Sequence, residues 1–240
     1  MLQLEHITVS FGGLVAIKDV SLTIGDGEVV GLVGPNGAGK TTLFNVISGL
    51  VRPNSGRALF NGIDLLPLPL HRRAQLGLCR TFQIPLPMHE LTVRENLIVA
   101  QRFGAGSVNT ARIDEILDFL DLRQQSQRNA ASSLSLYELK RLEVAKALAT
   151  NPKLLLLDEV SAGLETGGKR SLMDKLRELQ VRFKVGLLII EHDIETIAEL
   201  CQHVVVLNFG QMIAEGSPQE VFRNPQVIQI YTGMNPQELG

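Results

Sequence analysis

The sequence contains no tryptophan, only two cysteines, and aromatic residues at only 5% of its 240 positions. Cys79 and Cys201 lie far apart, and neither has a Cys or His neighbour at metal-ligand spacing. This pattern argues against a disulfide framework and against a zinc site, and it suits a reducing compartment. Both cysteines are therefore expected to be ordinary core residues.

Long apolar runs and an excess of one charge are also missing. No apolar segment approaches the roughly 20 residues that a membrane-spanning helix needs. Glu5 and His6 stand where a signal peptide would be apolar, so the chain is expected to stay in the cytoplasm. Lys and Arg total 23 against 25 Asp and Glu, for a formal net charge of -2, which argues against a broad field attracting nucleic acid.

The length and the ordinary composition predict one α/β domain over residues 1–240. Stretches rich in Val, Ile and Leu predict strands at 2–10, 15–24, 28–33, 154–157, 186–190 and 203–207. Helical patterns at 93–102 and 113–120 and after Ser135 predict a helical insert over about 84–150, and the stretch 83–131 shows no convincing strand. Strands alternating with helices outside this insert predict a parallel sheet covered on both faces.

The segment between the third strand and the next helix matches G-x-x-x-x-G-K-[ST] in the structural setting that this phosphate-binding pattern requires. Its glycines let amide N–H groups face phosphate oxygens, and the helix N-terminus adds partial positive charge. Lys40 is expected to reach the β and γ phosphates, and the Thr41 hydroxyl suits Mg²⁺. The predicted ATP-binding residues of this segment are Gly34, Pro35, Asn36, Gly37, Ala38, Gly39, Lys40, Thr41 and Thr42.

Four further polar residues follow predicted strands. Asp158 and Glu159 end the apolar run LLLL, at the edge of an α/β sheet where ligands bind. Asp158 is predicted to hold Mg²⁺ through its water shell, and Glu159 to orient and polarise the attacking water. His192 follows the apolar strand LLII and is expected to donate a hydrogen bond to the γ-phosphate. Gln83, at the end of a strand LGLCRTF, is expected to complete the Mg²⁺ or water network.

The order of these motifs resembles that of the ABC ATPase family over the whole chain. The resemblance implies a P-loop ATPase core with a parallel sheet, an N-terminal antiparallel β subdomain and an inserted α-helical subdomain. In it, Phe11 corresponds to the aromatic residue that stacks on adenine, Gln83 to the Q-loop glutamine and His192 to the switch histidine. The segment SAGLE corresponds to the D-loop. The signature segment, which contacts ATP held by a second subunit, corresponds to Ser135, Leu136, Tyr137 and Glu138.

More narrowly, RTFQ, LTVRENLIVA, IIEHDIETI and the tail IAEGSPQEVFRNPQVIQIYTG are similar to the ATPases of branched-chain or neutral amino acid importers. This resemblance implies ATP and Mg²⁺ as cofactors, a second ATPase subunit, two permease subunits and, indirectly, a solute-binding protein. It also implies a peripheral position on the cytoplasmic face of the membrane. A lipopolysaccharide-export ATPase and a soluble ABC ATPase remain as alternatives, whereas a P-loop kinase or GTPase would lack the ordered set of motifs.

The signature segment departs from the family pattern L-S-G-G-Q or L-S-G-G-E, because Leu136 and Tyr137 replace the two glycines. Glycine lets a helix N-terminus approach a phosphate, and a tyrosine adds bulk there. One hypothesis is a heterodimer, in which the site built on this chain's own phosphate loop is fast and the site that uses LSLYE is slow. The alternative is that a small backbone shift accommodates both residues.

The segment Ile84–Glu90, together with the helical insert, is expected to contact short cytoplasmic helices of the permease. Leu86, Met88 and Leu91 are candidates for that contact. The same three residues would equally suit a small satellite core.

Overall fold

The computed structural model describes residues 1–232. Its strands are β1 (Leu2–Phe11), β2 (Leu14–Ile24), β3 (Val29–Val33), β4 (Ser55–Phe60), β5 (Ile63–Asp64), β6 (Leu78–Arg80), β7 (Leu154–Asp158), β8 (Gly186–Ile190), β9 (His203–Asn208) and β10 (Gln211–Gly216). Its helices are α1 (Lys40–Ser48), α2 (Leu70–Gln75), α3 (Val93–Gly104), α4 (Thr110–Phe119), α5 (Ala130–Ser133), α6 (Leu136–Ala149), α7 (Thr166–Phe183), α8 (Ile194–Leu200), α9 (Pro218–Val221) and α10 (Pro225–Thr232). Within the described part of the chain, none of these helices has the length and apolarity to cross a membrane.

The chain divides into two compact units. Unit 1 consists of Met1–Leu70 and the described residues from Gly186 onward, and unit 2 consists of His71–Val185. The predicted helical insert at 84–150 lies within unit 2. The predicted single domain extends over both units, and its residues 233–240 lie outside the described part of the chain.

The first sheet of unit 1 is antiparallel, with strand order β2-β1-β4-β5. In β1, the apolar side chains of Leu2, Leu4, Ile7 and Val9 are buried, whereas Gln3 and Glu5 are exposed. One face of β1 therefore packs into the core and the other faces solvent, as is usual for antiparallel sheets. The sequence predicted β1 and β2 to within one residue at each end but did not predict β4 or β5.

The second group of strands in unit 1 is built around β3, which pairs in parallel with β8 and with β9. Every residue of β3 and of β8 is buried, as expected for strands covered on both faces. Because these strands are parallel, the segments that follow them emerge at the same edge. The strand β10 pairs antiparallel with β9 and was not predicted, so this part of the sheet is mixed rather than wholly parallel.

Unit 2 combines two parallel strands, β6 and β7, with helices α3, α4 and α6, which pack against one another. The helix α3 begins with a capping box, in which Thr92 accepts from the Glu95 amide and Glu95 accepts from the Thr92 amide. Between residues 83 and 131 of this unit, the one strand-like pairing is an isolated bridge between Thr92 and Asn129. The prediction that this stretch contains no strand is therefore confirmed.

Both cysteines are buried, Cys79 in unit 2 and Cys201 in unit 1. Burial raises the pKa of the Cys79 thiol to about 11, although its hydrogen bond with Thr150 acts in the opposite direction. Burial likewise raises the pKa of the Cys201 thiol to about 12. Both side chains are therefore neutral thiols at pH 7, and the expectation that they are core residues is confirmed.

Candidate functional site

The predicted phosphate loop lies in unit 1 between β3 and α1. Gly39 is the N-cap of α1, with a φ of 104°, and no side chain caps this end of the helix. The first turn of α1 starts at Lys40 and contains no acidic residue, so its amide groups and its helix dipole favour an anion. The N-terminal end of α1, which suits an anion, therefore lies immediately after the glycine loop.

Lys40 is buried and its ammonium group is bound by the loop itself. The Nζ atom donates to the carbonyl oxygen of Gly34 at 2.7 Å and to that of Pro35 at 3.0 Å. Phosphate oxygens are anionic and therefore accept stronger hydrogen bonds than these carbonyl oxygens do. The ammonium group therefore lies at the predicted phosphate-binding loop, held by two of that loop's own carbonyl oxygens.

Two other predicted site residues also belong to unit 1. His192 comes two positions after β8, the parallel neighbour of β3, so it leaves the sheet at the same edge as the phosphate loop. Phe11 ends β1 in the antiparallel sheet, and 53% of its surface is exposed, as a ring that stacks on a ligand requires. The structure therefore brings His192 and the phosphate loop to one sheet edge, with Phe11 in the other sheet of the same unit.

The predicted Mg²⁺ carboxylate, Asp158, is the last residue of β7 in unit 2. Its side chain is buried and pairs with the guanidinium of Arg80 on β6, with Arg80 donating to Asp158 Oδ2 at 2.7 Å. Removing one member of such a buried pair leaves the other charge uncompensated, which is strongly destabilising. Arg80 was not singled out from the sequence, although it belongs to the RTFQ segment that carried part of the resemblance.

Gln83 and Glu159 meet within unit 2. The Gln83 side-chain amide donates from Nε2 to Glu159 Oε2 at 2.5 Å. Gln83 was expected at the end of a strand, but β6 stops at Arg80, and the last bond of that ladder runs from the Thr81 amide to Leu156. Gln83 therefore lies in the loop beyond β6, and this loop rather than a strand brings its side chain to Glu159.

The signature segment forms the start of α6. Ser135 is the N-cap, its side chain accepts from the Glu138 amide, and the Glu138 carboxylate accepts from the Ser135 amide. Burial opposes ionisation of Glu138, but hydrogen bonds from Ser135 and Gln125 outweigh it and lower the pKa of this carboxyl. Serine and glutamate thus preserve the helix start, while Leu136 is 44% exposed beside them.

The side chain of Tyr137 packs against α7. Its hydroxyl donates to Ser171 Oγ at 2.7 Å, and the guanidinium carbon of Arg141 lies 4.0 Å from the centre of its ring. The ring is therefore held along the helix instead of covering its N-terminal end. The fold thus accommodates Tyr137 through contacts of its side chain, and Leu136 is left as the exposed departure from glycine.

The loop after Gln83 is held by α6 through main-chain groups. Glu143 accepts from the Leu86 amide at 3.0 Å, Lys146 donates to the Leu86 carbonyl at 2.8 Å, and the two side chains pair at 2.6 Å. We call this arrangement the backbone clasp. The side chains of Ile84 and Leu86 remain 72% and 63% exposed, so Leu86 is not part of a satellite core. Met88, further along, is half-buried.

Comparisons with known proteins identify the family to which the chain belongs. The family model described as "ABC transporter" matches residues 17–162. A second model, described as "Branched-chain amino acid ATP-binding cassette transporter", matches residues 211–233, of which Gly233 lies outside the described residues. The chain belongs to the ABC transporter ATP-binding family, whose members hydrolyse ATP, and it is an ATPase subunit of a transporter.

Individual relatives and a solved structure show which members of this family the chain is similar to. The chain is 36% identical to "High-affinity branched-chain amino acid transport ATP-binding protein BraF" of Pseudomonas aeruginosa, over 97% of this chain and 98% of BraF. It is 35% identical to "Lipopolysaccharide export system ATP-binding protein LptB" of Acidithiobacillus ferridurans, over 97% of each chain. Among solved structures, the ADP conformation of MJ1267, an ATP-binding cassette of an ABC transporter, superposes with a TM-score of 0.87 and 33% identity, over 98% of this chain and 99% of that one. The predicted fold class is confirmed by this likeness.

Proposed function

We propose that the chain powers the uptake of branched-chain or other neutral amino acids, as a peripheral ATPase on the cytoplasmic face of the membrane. The observation that carries this proposal is the similarity to BraF over nearly the full length, together with the match of residues 211–233 to the branched-chain transporter model. The proposed partners are two permease subunits, a second ATPase subunit and, indirectly, a solute-binding protein. The amino acid itself contacts the permease and the binding protein, not this chain.

The residues of unit 1 bind the nucleotide in this proposal. Phe11 stacks on adenine, the amide groups of the loop from Gly34 to Thr42 bind the phosphates, and Lys40 moves from its loop carbonyls to the β and γ phosphates. His192 donates a hydrogen bond to the γ-phosphate from the same sheet edge. In unit 2, Glu159 orients and polarises the attacking water, and the amide of Gln83 fixes its carboxylate.

The oxygen donors of the chain suit Mg²⁺. A threonine hydroxyl at Thr41, a carboxylate at Asp158 and the amide oxygen of Gln83 all belong to the oxygen class that this ion prefers. The pairing of Asp158 Oδ2 with Arg80 agrees with a carboxylate that binds the ion through water rather than with both oxygens. When bound, Mg²⁺ neutralises charge that develops on the phosphates.

The chain is proposed to work as a heterodimer with a different ATPase subunit. The support is Leu136, an exposed side chain where the family pattern has glycine, next to the capping serine of α6. A leucine there keeps the helix N-terminus further from a phosphate on the partner. The site that uses this signature is then the slow one, and the site built on this chain's own phosphate loop is the fast one.

Deleting the gene is expected to lower the uptake of radiolabelled leucine, isoleucine and valine, or of another neutral amino acid, by at least about tenfold, because transport stops without its ATPase. Wild-type protein should restore uptake, whereas Lys40→Met, produced at the same level, should not. If the deletion leaves amino acid uptake intact and instead blocks lipopolysaccharide assembly, the export alternative replaces this proposal.

The pairing can be tested on tagged protein purified from detergent-solubilised membranes. Mass spectrometry of the intact complex should find one copy of this chain, one different ATPase and two permeases. The isolated chain should hydrolyse ATP at least about tenfold more slowly than the complex, since each of its homodimer sites would contain the altered signature. A complex with two copies of this chain, or an isolated chain as active as the complex, would rule out the heterodimer.

A further inference from the structure

Lys140 lies in α6, close behind the signature segment, and only 4% of its surface is exposed. Its Nζ atom donates to the main-chain carbonyl of Gln83 at 2.6 Å and to that of Glu159 at 3.4 Å. Both acceptors belong to unit 2, as Lys140 does. One ammonium group therefore links the signature helix, the loop after β6 and the turn after β7.

A buried ammonium group costs free energy unless hydrogen bonds compensate for lost water, and a flexible apolar side chain would fill the same space without that cost. The ammonium group is therefore better explained by what it holds than by packing. Glu159 has a φ of 47°, a left-handed backbone conformation that a non-glycine residue keeps only when its surroundings impose it. The Glu159 carbonyl accepts from Lys140 and also from the Ala162 amide at 3.1 Å, so two donors fix this peptide group.

We propose that Lys140 is a positioning residue for ATP hydrolysis, whose ammonium group holds the peptide groups of Gln83 and Glu159 together so that the Gln83 amide stays on the Glu159 carboxylate. The proposal rests on the proposed role of Glu159 as the carboxylate that orients the attacking water. Lys140 does not touch the reacting atoms in this account. It sets the distance and direction of two side chains that do.

The position of Lys140 on α6 gives this role a wider consequence. The same helix carries Ser135 at its start and holds Leu86 through the backbone clasp of Glu143 and Lys146. A force on the exposed loop residues Ile84 and Leu86 is thus resisted by α6 at two places, one of which is also bonded to Glu159. Movement of that loop against α6 would change the Gln83–Glu159 contact directly.

The test replaces Lys140 with Met, which has a similar length and no charge, and with Arg, which keeps a cationic donor. Because small misplacements of catalytic groups cost up to about a hundredfold in rate, we expect Lys140→Met to lower kcat by at least about tenfold. KM and the Kd for ATP should stay within about threefold of wild type, and Lys140→Arg should retain at least about a third of kcat. Lys184→Met, which changes an exposed lysine of the same unit, is the control and should leave kcat unchanged.

Hydrolysis is measured on the full chain in the complex purified with its partners. Amide hydrogen exchange of the same proteins gives a readout that a general loss of stability would not mimic. Lys140→Met should speed exchange in peptides that cover 81–90 and 157–163 and leave unit 1 unchanged, while Lys140→Arg should match wild type. If Lys140→Met does not fold, Lys140→Leu takes its place with the same expectations, because leucine also lacks a hydrogen-bond donor.

Three results would overturn the proposal. The first is a wild-type kcat for Lys140→Met. The second is an equal loss of kcat in Lys140→Arg and Lys140→Met. The third is a loss of ATP binding, or faster amide exchange throughout both units, which would make the residue merely structural. Failure of the underlying assignment looks different. In that case Glu159→Gln would hydrolyse ATP normally whatever residue occupies position 140.

Discussion

Glu159→Gln is expected to lower kcat for ATP hydrolysis by about a hundredfold to a thousandfold, within the range that positioned general bases contribute. The amide of the new side chain keeps an oxygen that can accept from Gln83 Nε2, so the geometry of the contact should persist. What is lost is the negative charge that polarises the attacking water. The Kd for ATP should change by no more than about threefold, because the phosphate loop in the other unit is untouched.

The matched control is Glu178→Gln, which removes an exposed carboxylate from α7 of the same unit. It should retain wild-type kcat and KM. Rates are compared in whichever preparation of the wild type hydrolyses ATP fastest, the chain alone or its complex. A Glu159→Gln protein with a kcat within threefold of wild type would show that another group activates the water.

Gly34→Ala is expected to lower the free energy of unfolding by about 2–4 kcal/mol, through a clash and a strained backbone together. Gly34 has a φ of 143°, and a β carbon there would lie 2.1 Å from the Leu207 carbonyl oxygen. That oxygen cannot retreat easily, since Leu207 lies in β9, which is paired on one side with β3 and on the other with β10. The carbonyl of Gly34 also binds Lys40, so ATP affinity should fall with stability.

Gly37→Ala is the control for this change. Gly37 also has a positive φ, of 78°, but a β carbon there meets no atom within 4 Å. The Gly37→Ala substitution should therefore lower the free energy of unfolding only by the conformational strain, about 1 kcal/mol. Urea titrations of the nucleotide-free proteins measure the difference, and equal midpoints for the two variants would contradict the close contact at Leu207.

Much of the fold could be predicted because the informative signals are local. The fully apolar run before Asp158 and the glycine loop before α1 each define their element without help from distant residues. The strands β4 and β10 were missed because SGRALF and QMIAEG mix polar and apolar residues, and pairing with β1 and β9 decides their conformation. Pairing partners distant in sequence are not visible in a local pattern.

The candidate site shows the same limit. Positions after apolar strands and the family resemblance selected Gln83, Asp158, Glu159 and His192, but they could not show which side chains hold these residues. Arg80 reaches a residue 78 positions away, and Lys140 reaches one 57 positions away, so only the folded chain reveals these bonds. The mismatch at Tyr137 was visible, yet its meaning depended on Ser171 in another helix.

The backbone clasp also bears on how such a chain diverges. Glu143 and Lys146 contact Leu86 through its N–H and C=O groups, which every residue except proline offers. Exposed side chains of this loop, such as Ile84, can therefore mutate at little cost to folding. On the expectation that this loop contacts the permease, two copies of such a gene can come to fit different permeases by drift in a few surface positions, while the nucleotide chemistry of both stays the same.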